Sequence, residues 1–136
     1  MKIFIACSKQ FYGHIPPVQA ALEAAGHEVA LPNCIDDPGT EQRMYAHGGD
    51  VHAAWKATML KHSTEVIENC DGVLVLNLEK NGVAGYVGGA TFLEMYDAFR
   101  LGKKIYLYET IAENMLTDEI DGFASIILER DLSRVQ

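Results

Sequence analysis

The fold turns on one stretch: Gly72-Val73-Leu74-Val75-Leu76-Asn77, a glycine-rich run Gly82-Val83-Ala84-Gly85-Tyr86-Val87-Gly88-Gly89, the segment Thr91-Phe92-Leu93-Glu94-Met95-Tyr96-Asp97-Ala98-Phe99-Arg100-Leu101-Gly102, and Lys104-Ile105-Tyr106-Leu107-Tyr108. Its two ends, 72–76 and 104–108, are β-branched and aromatic runs that read as strands. Within them Val73–Leu76 and Ile105–Leu107 are near-continuously apolar, as strands covered on both faces are. The spacing between them predicts a helix over 91–101. Gly102 suits the left-handed position after a helix, and Lys103 and Lys104 complement its negative end. A strand, a helix and a second strand in this order imply a right-handed crossover between parallel neighbours.

The same alternation extends outward. Residues 2–7 and 28–31 read as strands. Between them Pro16-Pro17-Val18-Gln19-Ala20-Ala21-Leu22-Glu23-Ala24-Ala25-Gly26 carries proline at a helix start and glycine at its end. A further helix is predicted over 51–69, with Val51, Trp55, Met59, His62 and Val66 on one face, and a last strand over 125–128. The expectation is a single domain over 1–136: a three-layer α/β sandwich with a doubly wound, parallel, Rossmann-like or flavodoxin-like sheet of about five strands, ordered 2-1-3-4-5. Residues 32–50, rich in Pro, Gly, Asp and His, read as one long irregular loop, a feature that often carries function. Asp71 reads as a turn residue.

Composition narrows the classes. Across 136 residues, 49% are apolar and 22% charged, a globular balance that excludes a disordered chain, a collagen-like repeat or a disulfide scaffold. The apolar run at the N-terminus is too short for a secretory core of about 7–15 residues, and none is long enough to span a membrane. A cytoplasmic location is the expectation. Eleven Lys and Arg against 19 Asp and Glu leave a net charge of −8, which repels a nucleic-acid polymer or an anionic membrane. Cys7, Cys34 and Cys70 are odd in number and show no CxxC spacing, so reduced thiols are expected.

Ligands of open α/β sheets sit at the carboxyl ends of the strands. That edge collects 8–14, 32–50, 77–90 and the segment from Glu109. The run from Gly82 to Gly89 lets backbone approach a ligand closely and opens a helix whose first N–H groups are unpaired and partly positive. Glu94 lies beside this crevice. It admits two readings: a partner of Thr91 in a capping box, Thr91-x-x-Glu94, or a catalytic carboxylate.

Three motifs, Cys70-Asp71-Gly72-Val73-Leu74-Val75-Leu76-Asn77, Gly88-Gly89-Ala90-Thr91-Phe92-Leu93-Glu94-Met95 and Leu101-Gly102-Lys103-Lys104-Ile105, resemble the nucleoside 2-deoxyribosyltransferase-like superfamily, which includes deoxyribosyltransferases and deoxynucleoside 5'-monophosphate N-glycosidases. The opening Ile3-Phe4-Ile5-Ala6-Cys7-Ser8 and Gly26-His27-Glu28-Val29 look like its first strand–helix–strand unit. Together they cover about two thirds of the chain. The resemblance implies cleavage of an N-glycosidic bond, or base exchange, on a nucleoside or nucleoside 5'-monophosphate. Glu94 would be nucleophile or stabiliser of an oxocarbenium-like transition state, and Tyr12 would orient it. Ser8, Lys9, Asn77, Gly88, Gly89 and Thr91 would contact substrate. It also implies a homodimer or higher homo-oligomer, with the apolar face around Trp55 and Met59 expected to contribute. Two positions depart from the pattern: Gly88 stands where relatives often have Asp or Ser, and Tyr96 where they have a small residue.

No cofactor is implied, and no metal: His47 and His52 are five apart and do not share a helix face. His62 reads as a core histidine, and Asp97 as an exposed helix charge. Two alternatives stay open. One is a phosphoribohydrolase of the cytokinin-activating kind, although the glycine-rich turn lacks that signature's leading proline and one glycine. The other is a nucleotide sensor that binds without turnover.

Overall fold

The computed structural model describes all residues, Met1–Gln136. Five strands, β1 (Lys2–Ala6), β2 (Glu28–Ala30), β3 (Gly72–Val75), β4 (Lys104–Leu107) and β5 (Ile126–Ile127), form one sheet ordered β2-β1-β3-β4-β5. Every neighbouring pair is parallel, with Phe4 opposite Val73, Val73 opposite Ile105 and Tyr106 opposite Ile126. The expected order is met.

Strand side chains alternate between two apolar layers. Phe4, Ala6, Val73, Val75, Ile105 and Leu107 face one side, where they meet Ile67 of α3 (Gly49–Glu68), Met95 and Ala98 of α4 (Gly89–Arg100) and Ile120 of α5 (Thr117–Gly122). Ile3, Ile5, Leu74, Leu76 and Tyr106 face the other side, against Ile15, Val18 and Leu22 of α1 (Ile15–Ala24). Only α1 covers that second face, and the end of the chain completes it. Val135 is buried there, and the Tyr106 hydroxyl donates to the main-chain oxygen of Gln136 at 2.6 Å. Asp71 accepts from the Lys2 amide at 2.6 Å, tying the start of β1 to the turn before β3. No helix is long and apolar enough to cross a membrane.

Three expectations need correction. The stretch 32–50 is not wholly irregular: α2 (Thr40–Ala46) interrupts it, and α3 begins at Gly49. No residue of α2 is buried, so no apolar period marks it. Outside the helix, the Asp37 carboxylate receives both guanidinium nitrogens of Arg43 and steadies the approach. The inward face of α3 is also shifted by one residue, because Ser63 and Ile67 are buried while His62 is exposed. Finally, Asp97 is half-buried and accepts from the Thr64 hydroxyl at 2.6 Å.

Candidate active site

In this strand order the chain leaves β1 toward one edge of the sheet and β3 toward the other. The crevice between their carboxyl ends is where such folds bind ligands. A cavity of about 390 Å³ opens there. Cys7, Ser8, Lys9 and Tyr12 enter it from the end of β1 and the 3₁₀ turn Lys9–His14. Gly88, Gly89, Thr91 and Glu94 enter from the start of α4, and Trp55, Met59 and Ser63 from α3. Pro32, Asn33, Cys34 and Glu41 close the side formed by the segment after β2.

Local chemistry explains the start of α4. The loop before it folds back on the chain after β4. Gly85, at φ +61°, lies so close to Thr110 that a Cβ would sit 2.2 Å from the Thr110 carbonyl oxygen. Only glycine fits. Gly88 is the N-cap in extended conformation, with no side-chain cap. The amides of Gly89, Ala90 and Thr91 find no backbone acceptor, and they begin a 12-residue helix with its positive end at the cavity.

Glu94 therefore lies in the second turn of α4, and the capping box with Thr91 does not form. Thr91 is buried, and the Glu94 carboxylate points instead to α3, where the Ser63 hydroxyl donates to Oε1 at 3.0 Å. Burial pushes Glu94 up to about 7. The Ser63 hydrogen bond pulls it down, Asp97 on the same helix adds to the rise, and Lys56 opposes it. A carboxyl titrating near neutrality in a cleft has the character of a functional group.

Around it, burial and then the neighbouring Glu94 hold the Cys7 thiol at about 12, so Cys7 stays protonated. Burial also raises Tyr12 above the ordinary tyrosine range, with Cys7, Glu94, Cys34 and Glu41 adding to it. The Tyr12 hydroxyl donates to the Asn33 carbonyl at 3.0 Å rather than to Glu94. At the rim, Glu41 lies 2.7 Å from Lys56 and 3.4 Å from His52, whose ring stacks on Tyr45 at 3.6 Å. The Lys56 hydrogen bond holds the Glu41 carboxyl below its ordinary value.

Of the residues singled out in the sequence, Ser8, Lys9, Tyr12, Gly88, Gly89, Thr91 and Glu94 share this cavity. Asn77 does not. It is fully buried at the end of β3, where its amide donates to the Glu109 carbonyl at 2.7 Å and its oxygen accepts from the Glu109 amide at 2.9 Å. It joins β3 to the chain after β4, and with no exposed surface and no place in the cavity wall it does not face a ligand there. Sequence reading missed Asn33 and Ser63. Ser63 follows Trp55 and Met59 at intervals of four, a signal that stepping by three to His62 passed over.

No protein-family model matches the chain. No curated protein matches it. Among solved structures, the chain is similar to the Clostridium botulinum CMP N-glycosidase BcmB. The two are 19% identical, the match covers 93% of this chain and 85% of that one, and the TM-score is 0.54. At that identity the likeness is one of fold, and it agrees with the fold implied by the resemblance of the glycine-rich stretch.

Proposed function

We propose that this protein cleaves the N-glycosidic bond of a nucleoside or nucleoside 5'-monophosphate, with Glu94 at the anomeric carbon. The observation that carries this reading is a half-buried carboxylate, pushed to about 7, in a cavity lined by the helix start Gly89, Ala90 and Thr91, whose amides have no backbone acceptor. The structural neighbour is a CMP N-glycosidase, which supports it.

The chemistry matches these groups. Breaking the bond sends its electron pair to the departing base and leaves positive charge on the sugar ring, as in glycoside hydrolysis. An ionised Glu94 stabilises that charge or adds to the anomeric carbon, forming a glycosyl ester. Water then releases the sugar, whereas a second base in place of water gives exchange. Ser8, Lys9, Gly88, Gly89 and Thr91 are assigned to the sugar or its phosphate, for which free amides at a helix start are suited. Tyr12 is assigned an indirect role, since its hydroxyl is engaged by Asn33. A homodimer remains part of the proposal. Trp55 and Met59 now belong to the cavity wall, and light scattering at micromolar concentration tests the assembly.

Chromatography after incubation with a panel of ribo- and deoxyribonucleosides and their monophosphates tests the reaction. Free base is the expected product. Intact ligand with saturable binding contradicts cleavage and identifies a sensor.

A further inference from the structure

Along α3, hydroxyl side chains have an easy local partner, the carbonyl four residues earlier. Thr58 takes it, donating to Ala54 at 3.1 Å, and the Thr64 hydroxyl lies 3.2 Å from the Leu60 carbonyl while also reaching Asp97. Ser63 does not turn back. Its local acceptor would be the Met59 carbonyl, and that oxygen receives the side-chain amide of Asn33 at 2.9 Å. The second amide proton of Asn33 goes to the Ser63 oxygen, also at 2.9 Å. Asn33 thus occupies the competing acceptor and a lone pair of the hydroxyl at once. The single Ser63 proton is left to Glu94 Oε1, 3.0 Å away. Asn33 is itself fixed through its carbonyl by the Tyr12 hydroxyl.

We infer that Asn33 and Ser63 are positioning residues for Glu94. Asn33 directs the Ser63 hydroxyl proton onto Oε1, which fixes the carboxylate and leaves Oε2 as the oxygen available to the anomeric carbon. This inference rests on the proposed role of Glu94 and adds two residues, 31 and 61 positions away in the chain, from elements other than its own.

The arrangement also sets when Glu94 is ionised. The charged and titratable groups that bear on it are Cys7 and Tyr12 near the end of β1, Lys56 on α3 and Asp97 on α4. The hydrogen bond itself comes from the Ser63 hydroxyl, and donation to the charged form favours that form. Removing it shifts the carboxyl toward protonation.

The test compares Ser63→Ala, Asn33→Ala and the double variant, with circular dichroism to establish folding. The first readout is the titration of the Glu94 carboxyl by NMR on protein carrying ¹³C-labelled glutamate, its resonance identified by its loss in Glu94→Gln. This needs no substrate. Both single variants are expected to move the midpoint to higher pH, because Asn33→Ala frees Ser63 to turn back to Met59 as Thr58 turns to Ala54. The second readout is base release, expected to fall about tenfold at pH 7, the scale of one charge-assisted hydrogen bond, and to recover toward wild type at higher pH. The double variant is expected to lose no more than the worse single one, since both act on one proton. Should Ser63→Ala fail to fold, Asn33→Ala carries the comparison. An unchanged midpoint in the folded variants, or losses that multiply in the double, overturns the inference. If Glu94→Gln itself releases base at the wild-type rate, the proposed function fails, while the NMR midpoint still decides the assignment of Asn33 and Ser63.

Discussion

Two hollows of nearly equal size lie on either side of α4. One, about 390 Å³, receives Thr91 and Glu94; the other, about 380 Å³, lies between α4 and α5 and is lined by Phe92, Leu93, Tyr96, Phe99 and Phe123. Helical spacing separates them, with positions 91 and 94 on one flank and 92, 96 and 99 on the other. Volume does not distinguish a site here, whereas the treatment of charge does. In the aromatic hollow the rings of Phe92, Tyr96 and Phe99 lie 5.6, 6.3 and 5.4 Å from that of Phe123, and this packing is favourable in itself. In the polar hollow the fold desolvates a carboxylate and gives it one hydroxyl donor, an arrangement that opposes stability. A cost of that kind persists where the group has work to do.

Glu94→Gln separates the two hollows most strongly. The amide keeps the length of the side chain and can still accept from Ser63, but it carries no charge to set against a cationic transition state. Base release is expected to fall by at least about 10²–10³, the scale of removing one electrostatic stabiliser; a variant with near wild-type release would make both hollows equally uninvolved in the chemistry.

The same substitution also separates the two hollows in stability. Reading Glu94 as a first-turn cap makes its loss cost about 0.3–1 kcal/mol. Its actual place reverses the sign. The folded protein keeps a carboxyl proton up to about pH 7 that the unfolded chain releases near 4.5. Wild-type stability therefore falls as pH rises through that window. Glu94→Gln lacks this group, so above pH 7 it is expected to be more stable than wild type by on the order of 2 kcal/mol. The gap should close below pH 4.5. Thermal melts at pH 4 and pH 8 measure it, and a variant less stable than wild type at pH 8 would contradict the burial cost.

A smaller effect belongs to the other hollow. Phe123→Ala removes the ring shared by three aromatic contacts. At this half-exposed position the expected loss is about 1–2 kcal/mol, with base release unchanged. Denaturant unfolding and the product assay together check it, and a fall in activity at constant fold would assign the aromatic hollow a part in the reaction.

These two hollows also mark what the sequence discloses. The sheet order is legible because Val73–Leu76 and Ile105–Leu107 are near-continuous apolar runs separated by a punctuated helix, a signal carried by adjacent residues. The placement of Glu94 beside a glycine-rich turn was legible for the same reason. Its bonding was not. Thr91-x-x-Glu94 is a capping box only if the helix starts at 92, and it starts at Gly89 because Gly88 supplies the extended N-cap. Asn33 and Ser63 stayed hidden because their roles depend on contacts between segments about 30 residues apart or more. α2 was invisible for a different reason, having no buried residue to set a period. Asn77 reads as a ligand contact from its place at a strand end, but it is fully buried, away from the cavity, and bonded to both the amide and the carbonyl of Glu109.

The role of Glu94 is read most directly from the pH dependence of kcat/KM for base release, measured beside the NMR titration of its carboxyl. If the ionised carboxylate does the work, the acid limb of the rate profile rises with its midpoint near 7, coincident with the Glu94 titration. A rate that stays flat or falls between pH 6 and 8 while Glu94 loses its proton would contradict the assignment.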